Sequence, residues 1–219
     1  MQQEEINIIF NKIANNYDKI NDFISLGLHK KIKKDSVKLL EIFPNSKILD
    51  LCTGSGDFVK IISEMYPSSK ITGIDNCENM LEIAKIKNKT NKFIKADCKN
   101  LPINNSSIDF VIISFGLRNI LDRTQALSEI NRVLKDNGKF LHLDFGNHNF
   151  LNKLFDFVLP IFIKLIKSDV ESYQYLVKSK ENFPEPNKLI KEFEKAGFTL
   201  VKRKDYLFHS ISAQIMQKL

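Results

Sequence analysis

The sequence predicts an α/β fold built on one mostly parallel sheet, and three observations lead to that prediction. Short apolar runs alternate with amphipathic stretches between residues 47 and 145, which is typical of strands joined by crossover helices. A glycine-rich turn, with Gly54 and Gly56, directly follows the first apolar run. With 219 residues, 43% of them hydrophobic, the chain is long enough to bury one substantial core. We therefore expect residues 1–219 to form a single domain.

The core elements follow in chain order from periodicity and from helix-breaking residues. The predicted strands are Lys47–Leu51, Lys70–Ile74, Lys92–Lys95, Ile108–Ser114 and Lys139–Phe145, and the predicted helices are Asp57–Tyr66, Glu78–Lys87 and Thr124–Leu134. Pro67 ends the first of these helices. The apolar run from Ile108 suits a central strand with both faces buried. Gly138 is expected to take a left-handed cap after the last helix.

The flanking segments complete the predicted architecture. Residues 1–45 are expected to form a helical cap, because apolar side chains recur there at helical spacing: Ile8, Ile9, Ile13, Val37, Leu39 and Leu40. Residues 149–196 are predicted to supply lid helices over a substrate. Two final runs, Phe198–Asp205 and Ser210–Met216, are predicted to close a seven-stranded sheet as an antiparallel hairpin.

Charge and composition narrow the classes of function. The net charge is +7, but the lysine excess lies in the flanks and forms no basic run of about five to eight residues. A compositional bias therefore explains it better than nucleic-acid binding. No secretory signal, transit segment or uncharged run of roughly 18 residues is present, so a cytoplasmic protein is expected. The three cysteines, Cys52, Cys77 and Cys98, lack metal-site spacing and predict reduced thiols without a metal.

The segment Asp50–Asp57 has the features of a cofactor loop. Gly54 and Gly56 follow the first strand, where the absence of side chains lets a ligand approach the backbone closely. Asp75 ends the second strand, where its carboxylate is placed to accept hydrogen bonds from two ribose hydroxyls. Asp97-Cys98 follows the third strand and suits an adenine. Local hydrogen bonding, as a helix N-cap or a turn residue, is the alternative for either aspartate.

A dinucleotide is the immediate rival as the bound cofactor. A dinucleotide fingerprint requires a third glycine for helix packing, and Val59 occupies that position. Asp57 also places a negative charge at the mouth of the loop, which repels a pyrophosphate and suits the amino group of S-adenosylmethionine. The loop therefore predicts S-adenosylmethionine as the cofactor.

At this point the sequence resembles a known family, the class I C-methyltransferases of menaquinone and ubiquinone biosynthesis. Three separated blocks carry the resemblance over nearly the whole chain. They are the N-terminal residues Phe10 to Ala14, Tyr17-Asp18, Asn21-Asp22 and Ser25 to His29; the segment Ser114 to Asn119; and Asp169, Ser172 to Leu176 and Phe183-Pro184. Two departures are the C-terminal segment Leu207 to Gln214, where the family commonly has glycines, and Lys30 to Lys33, which lacks a tryptophan.

The resemblance implies a Rossmann-like fold, S-adenosylmethionine and C-methylation of a reduced polyprenyl quinone precursor. That precursor is demethylmenaquinol or the equivalent 2-methoxy-6-polyprenyl-benzoquinol. Carried over by position, the implied cofactor contacts are Ser55, Asp75, Asp97, Cys98 and Ser114. The resemblance also implies a homodimer, or a complex that works at a membrane surface. The two departures concern substrate specificity rather than the reaction.

Four residues in the matching blocks are the predicted catalytic group. Arg118 lies at the carboxyl end of a central strand, and its permanent charge suits a developing phenolate. Asn119 is expected to orient that oxygen, and Tyr17 to cover the cofactor. His29 is a candidate proton acceptor, with a structural hydrogen bond at a helix end as the alternative. Asp144 is a further candidate to face the acceptor.

Residues 149–168 are apolar with interspersed lysines, which fits a buried lid helix and equally a basic, apolar surface resting on the inner face of a bilayer. Two alternative functions stay open. One is methylation of another small molecule or RNA, although neither an Asn/Asp-Pro-Pro-aromatic motif nor a Pro-Cys nucleophile is present. The other is a non-catalytic, cofactor-binding subunit of a quinone-synthesis complex.

Overall fold

A computed structural model describes residues 2–147 and 170–219. The helices are α1 (Gln3–Ile24), α2 (Leu28–Lys38), α3 (Asp57–Met65), α4 (Glu78–Lys87), α5 (Arg123–Val133), α6 (Val170–Glu181) and α7 (Pro186–Lys195), with a 3₁₀ turn at Leu117–Asn119. The strands are β1 (Lys47–Leu51), β2 (Lys70–Asp75), β3 (Lys92–Lys95), β4 (Ile108–Ser114), β5 (Leu134–Phe145), β6 (Phe198–Tyr206) and β7 (Ile211–Lys218). The segment 149–168, predicted as a lid or membrane surface, lies outside the described residues.

The seven strands form one sheet in the order β3-β2-β1-β4-β5-β7-β6. Strands β1 to β5 pair in parallel, whereas β7 runs antiparallel to both β5 and β6. The predicted fold class, including the C-terminal hairpin, is therefore confirmed. The strand order reverses between β1 and β4, and in open α/β sheets ligands bind at the carboxyl edge beside such a reversal.

Strand β4 shows why the sheet is covered on both faces. Val111 and Ile113 pack into the apolar cluster under α5 and α7, while Phe110 and Ile112 pack into the cluster under α2 and α3. All four side chains are buried, as the apolar run from Ile108 predicts. Burial of this kind contributes about 1.5–3 kcal/mol for each large side chain, so β4 is a rigid base for the residues that follow it.

Helix α1 lies across the carboxyl edge of the sheet as a cap. Its buried side chains Ile13, Ala14 and Ile20 pack against Cys77 and Met80 at the start of α4. The predicted apolar set was partly wrong, because Ile8 is exposed and Ile6 is buried instead. In the described part of the chain, no helix combines the length and apolarity required to cross a bilayer.

The end of α5 also differs from the prediction. The helix ends at Val133, and Leu134 already pairs with β4 as the first residue of β5. The left-handed residue of the turn is Asn137, with φ 61°, and not the adjacent Gly138. Asn tolerates this conformation through local hydrogen bonding, while a Cβ at Gly138 would lie 2.8 Å from the carbonyl oxygen of Lys135. Gly138 is thus required by close backbone approach rather than by a cap.

Candidate functional site

Two adjoining cavities open at the carboxyl edge of the sheet beneath α1. The Asp75 cavity, of about 750 Å³, lies over the ends of β2 and β3. The Arg118 cavity, of about 1090 Å³, lies between α1, α2 and the segment after β4. Five residues line both: Tyr17, Cys52, Gly54, Ser114 and Phe115. Two ligands bound in these cavities would therefore meet at one shared wall.

The loop after β1 forms one side of the Asp75 cavity. Gly54 and Gly56 have φ values of 54° and 81°, a left-handed conformation that glycine adopts at no steric cost. A Cβ at Gly54 would meet no protein atom within 4 Å, so the bare backbone faces the cavity. Asp75 Oδ2 accepts a hydrogen bond from Gly54 N over 2.8 Å, and its Oδ1 accepts one from Cys77 N over 2.9 Å. These bonds fix the carboxylate at the end of β2 and leave further lone pairs for a ligand.

The Asp97-Cys98 pair lines the far end of the Asp75 cavity. Asp97 Oδ1 accepts a hydrogen bond from Lys99 N over 2.9 Å, as the predicted turn alternative requires. A hydrogen bond with the Cys98 thiol, together with burial, raises the pKa of Cys52 well above its usual value. Cys52 therefore stays a neutral thiol and is a free cysteine, as the sequence predicts.

Ser114 lies where the two cavities join. Its Oγ is buried and has no hydrogen-bond partner among the described residues, although it ends the central strand β4. A buried hydroxyl without a partner costs roughly 1–3 kcal/mol, and a polar ligand group at the junction would offset that cost. Together with the bare backbone at Gly54 and the fixed carboxylate of Asp75, this fits a ligand with ribose and amino-acid groups.

The other side of the loop faces away from the Asp75 cavity. Ser55 Oγ donates a hydrogen bond to Asp18 and accepts one from Lys87 Nζ over 3.2 Å. Asp57 is ion-paired with Lys33 at 2.8 Å and with Lys87 at 2.7 Å. Both side chains line the Arg118 cavity instead. The prediction that Asp57 offers a free negative charge to the cofactor is thus wrong, because two lysines neutralise it.

Asp50 and Asp57 both line the Arg118 cavity, and their pKa values are shifted in opposite directions. Burial raises the pKa of Asp57, but Lys33 and Lys87 outweigh it and hold the pKa well below its ordinary value. Burial raises the pKa of Asp50 to about 7, and a hydrogen bond from Thr53 only partly opposes this. Asp50 is thus close to its midpoint of protonation at neutral pH, although its side chain lines the Arg118 cavity and not the Asp75 cavity.

Arg118 contributes its guanidinium to the wall of the second cavity. Its Nη1 donates to the carbonyl oxygen of Phe115 over 2.7 Å and to Asp144 Oδ1 over 2.8 Å. The guanidinium carbon lies 5.2 Å from the centre of the Phe145 ring, within cation–π range. Arg118 Nε has no hydrogen-bond partner in the described part of the chain. Arg118 is thus a fixed cation in the cavity wall, and its one N–H without an acceptor is buried.

Asn119 lies on the other side of the shared wall, in the Asp75 cavity. Its Nδ2 donates to the carbonyl oxygen of Phe115 over 3.3 Å, and its Oδ1 accepts from the Tyr175 hydroxyl over 3.2 Å. These bonds tie the 3₁₀ turn after β4 to α6. The structure therefore separates the two neighbours, with Arg118 in one cavity and Asn119 in the other.

His29 lies in the first turn of α2 and lines the Arg118 cavity. Its Nδ1 is 2.6 Å from Ser25 Oγ, and its Nε2 is 3.5 Å from Asp22 Oδ1. The Ser25 hydroxyl has a single proton, and its Oγ also lies 2.6 Å from the carbonyl oxygen of Asn21. When His29 carries its proton on Nδ1, Ser25 accepts a hydrogen bond from His29 and donates its own proton to Asn21. Burial, followed by the charge of Lys33, lowers the pKa of His29. The imidazole is therefore neutral at pH 7.

Several further residues that were not among the predicted site residues also line the two cavities. The Asp75 cavity is also lined by Gln3, Asn7, Phe10 and Met80. The Arg118 cavity is also lined by Ile20, Phe145, Leu176 and Ile211. Most of these residues come from α1, α6 and β7, elements that are distant in sequence from the cofactor loop. Phe10 and Leu176 lie in segments that carry the family resemblance, whereas the other residues are identified by the three-dimensional arrangement of these elements.

Comparisons with known proteins agree with this geometry. Residues 1–218 match the model of the ubiE/COQ5 methyltransferase family. A demethylmenaquinone methyltransferase of Staphylococcus haemolyticus is 36% identical over 94% of this chain and 90% of its own, and one of Listeria welshimeri is 34% identical over 95% and 92%. A SAM-dependent methyltransferase structure from Thermotoga maritima, 20% identical, has a TM-score of 0.72 and covers 98% of this chain and 100% of its own.

Proposed function

The chain belongs to the ubiE/COQ5 methyltransferase family, and on that premise we propose that it methylates a ring carbon of a reduced polyprenyl quinone precursor. It is an S-adenosylmethionine-dependent methyltransferase, as the cofactor loop predicts. The observation that carries the proposal is the shared wall of the two cavities at Tyr17, Ser114 and Phe115. A methyl donor in one cavity and an aromatic acceptor in the other would meet at this wall.

The cofactor is proposed to occupy the Asp75 cavity. Asp75 would hold the ribose hydroxyls, Asp97 and Cys98 the adenine, and Gly54 and Ser114 the amino-acid end. Ser55, Gly56 and Asp50 act from behind the loop, since their contacts shape the backbone. When bound, the cofactor supplies an electrophilic methyl group. Tyr17 covers the junction from α1 and excludes water from the transfer.

The acceptor is proposed to lie in the Arg118 cavity with its ring against Phe115. Loss of a proton from a ring hydroxyl makes the neighbouring ring carbon electron-rich. That carbon would form a bond to the methyl carbon while the carbon–sulfur bond breaks and its electron pair stays on the sulfur, which leaves as a neutral thioether. The proton on the attacked ring carbon would then pass to solvent, which restores the aromatic ring. Arg118 stabilises the phenolate oxygen through the positive charge of its guanidinium. Well-oriented reactants contribute up to roughly 7–11 kcal/mol to such a step.

His29 is proposed as the acceptor of the hydroxyl proton. Its neutral imidazole, protonated on Nδ1 toward Ser25, leaves Nε2 with a lone pair. Asp22 and Asp57, at 3.5 and 3.9 Å from Nε2, stabilise the imidazolium that forms. Asn119 is proposed to act less directly, by fixing the carbonyl oxygen of Phe115 and with it the segment that carries Arg118.

The naming of relatives as demethylmenaquinone methyltransferases supports a naphthoquinol as the acceptor. Because a polyprenyl tail keeps such a substrate in a bilayer, we propose that the enzyme works at the cytoplasmic face of a membrane. We also propose a homodimer, as the family resemblance implies, and a single domain over residues 1–219, as the length and composition of the chain predict. Nucleic acid is not proposed as a substrate.

The test uses the full chain, S-adenosylmethionine labelled in its methyl group and a panel of acceptors. The panel contains a reduced naphthoquinone, a reduced benzoquinone and an RNA, each with an unreduced or unlabelled control. Label in the naphthoquinol, at a ring carbon, is the expected result. Label in the benzoquinol alone would indicate that the substrate is the benzoquinol precursor of ubiquinone instead. Label in RNA, or in nothing despite cofactor binding, would contradict the proposal.

A further inference from the structure

The wall shared by the two cavities consists of uncharged residues. Its members are Tyr17, Cys52, Gly54, Ser114 and Phe115. Two of them, Tyr17 and Phe115, have aromatic rings. S-adenosylmethionine carries its reactive methyl group on a positively charged sulfur. Transfer of that group to an acceptor in the second cavity requires the charged sulfur to lie beside this wall.

The aspartates of the two cavities lie on either side of the shared wall. Asp75 and Asp97 line only the Asp75 cavity. Asp50 and Asp57 line only the Arg118 cavity, and Asp57 is already ion-paired with two lysines. A carboxylate touching the sulfur would stabilise a charge that disappears during the transfer, and would therefore slow the step. An aromatic ring attracts a cation more weakly, through its negative face. The composition of the wall thus favours recognition of the charge by an aromatic ring.

The backbone of Phe115 is held firmly directly after β4. Its φ is 52°, a left-handed conformation that bulky residues rarely adopt. Its N donates to the carbonyl oxygen of Leu143 over 2.8 Å. Its carbonyl oxygen accepts from Arg118 Nη1 over 2.7 Å and from Asn119 Nδ2 over 3.3 Å. Such conformations persist where the surrounding structure enforces them, and they cluster at functional sites. These bonds fix the point from which the Phe115 ring projects.

The ring of Phe115 is half-buried and supported by its neighbours. It packs against the apolar cluster under α2 and α3, and its centre lies 5.4 Å from that of the Phe145 ring at an interplanar angle of 71°. The guanidinium carbon of Arg118 lies 5.8 Å from the centre of the Phe115 ring, compared with 5.2 Å for Phe145. Asp144 balances that guanidinium charge at 2.8 Å. Arg118 therefore interacts more closely with Phe145, and the Phe115 ring can still attract a second cation.

We infer that the Phe115 ring binds the positive sulfur of S-adenosylmethionine through a cation–π contact, and so distinguishes this cofactor from its uncharged product, S-adenosylhomocysteine. Because the transfer removes the charge, the ring holds the product less tightly than the cofactor. Tyr17 is the other aromatic residue of the wall, but it belongs to the cap helix α1, whereas Phe115 is fixed to the central strand of the sheet. The inference rests on the proposed function, since it requires the methyl donor in the Asp75 cavity and the acceptor in the Arg118 cavity.

Calorimetric titration of the full chain with S-adenosylmethionine and with S-adenosylhomocysteine, in the absence of an acceptor, tests the inference. The ratio of the two affinities measures recognition of the charge. In Phe115→Leu we expect the affinity for S-adenosylmethionine to fall about tenfold, while the affinity for S-adenosylhomocysteine changes little. Leucine suits the backbone there, because Leu26 and Leu207 adopt φ values of 48° and 49° in the same chain. Phe115→Tyr keeps an aromatic ring and should keep the wild-type ratio.

The matched control is Phe10→Leu, since Phe10 lines the Asp75 cavity but not the shared wall. Its loss should change both affinities by the same factor. Phe115→Met, with a flexible side chain that fills irregular space, provides a second non-aromatic variant should Phe115→Leu fail to fold. Equal losses of both affinities in the non-aromatic variants would make Phe115 a packing residue and overturn the inference. A ratio that falls in Tyr17→Leu but not in Phe115→Leu would also overturn it.

This inference and the proposed function fail separately. A lowered ratio in Phe115→Leu, with no quinol methylated by the wild type, would reject the proposed function and leave recognition of the charge intact. Methylation of a naphthoquinol by the wild type, with an unchanged ratio in Phe115→Leu and Phe115→Met, would reject the cation–π contact alone.

Discussion

Arg118 Nη1 donates to Asp144 Oδ1 over 2.8 Å, and both side chains are buried at the wall of the Arg118 cavity. Replacing Asp144 by asparagine keeps the shape but leaves the guanidinium without a countercharge. We expect the free energy of unfolding to fall by about 3 kcal/mol, measured by chemical denaturation. Glu192→Gln is the matched control, since it breaks the half-exposed pair with Arg123 and should cost less than about 1 kcal/mol. Equal losses in the two variants would contradict a buried role for the pair.

Removal of the Arg118 guanidinium should separate chemistry from cofactor binding. In Arg118→Ala we expect kcat to fall by roughly 10²–10³, because the phenolate loses its main electrostatic stabilisation. The affinity for S-adenosylmethionine, measured by calorimetry, should change little, since Arg118 does not line the Asp75 cavity. Arg123→Ala removes a guanidinium that lines neither cavity and should keep full turnover. Full turnover in Arg118→Ala would end the phenolate proposal.

His29 should appear in the pH profile of turnover. Because burial and Lys33 lower its pKa, the imidazole stays neutral above pH 6.5 and gains a proton only in more acidic solution. The wild-type kcat should therefore fall on the acid side alone. His29→Gln should lower kcat by about 10² and abolish that acid limb, whereas Asp50→Asn should keep it. An acid limb that survives in His29→Gln would assign the proton to another group.

Asp50 should make stability depend on pH. Burial raises its pKa from 3.8 to about 7, so between these values the folded chain keeps a proton that the unfolded chain releases. Stability contributed by this group is complete below pH 4 and is lost as the pH rises to 7. Relative to the wild type, Asp50→Asn should gain up to about 4 kcal/mol across this window, as measured by urea unfolding at several pH values.

Asp205→Asn gives the matched control for that titration. The pKa of Asp205 is lowered to about 2, so its contribution is present above pH 4 and is lost only in stronger acid. The difference between Asp205→Asn and the wild type should stay constant from pH 5 to pH 8. If the stability gained relative to the wild type rose with pH in both Asp50→Asn and Asp205→Asn, Asp50 would not be the source of the pH dependence.

Gly116 should tolerate alanine only if Cys52 changes as well. A Cβ at Gly116 would collide with Cys52 Cβ, so Gly116→Ala should cost about 1–3 kcal/mol of stability. Cys52→Gly removes the contact and also relieves a left-handed residue with φ 52°. In a double-mutant cycle the second change should therefore rescue the first. Additive effects in thermal unfolding would show that the two residues do not collide.

The sequence patterns predicted the core well because its signals are local. Strands such as Ile108–Ser114 are apolar over their whole length, and the turn at Gly54 follows β1 without interruption. The end of α5 was placed incorrectly because Asn137-Gly138 was interpreted as a cap, whereas pairing of Leu134 with β4 ends the helix earlier. A tertiary contact, which periodicity does not encode, decided that boundary.

The site was harder to predict because its charges pair over long sequence distances. Asp57 was expected to face the cofactor, but Lys33 comes from α2 and Lys87 from α4 to neutralise it. Arg118 and Asn119 are adjacent in sequence, yet the 3₁₀ turn directs them into different cavities. Both results depend on how helices meet above the sheet. The family resemblance supplied the residue types, and the fold supplied their directions.

Helix α1 borders both cavities along its length. Asn7 and Phe10 line the Asp75 cavity, Asn21 lines the Arg118 cavity, and Tyr17 lines both. Its 22 residues extend over about 33 Å, so a ligand in either cavity would contact the same helix. We expect the two proposed ligands to pack against this one helix, so that binding of either strengthens binding of the other. By thermodynamic linkage the factor is the same in both directions. This linkage favours the complex with both ligands bound over the complex in which a methyl donor is bound without an acceptor and faces water.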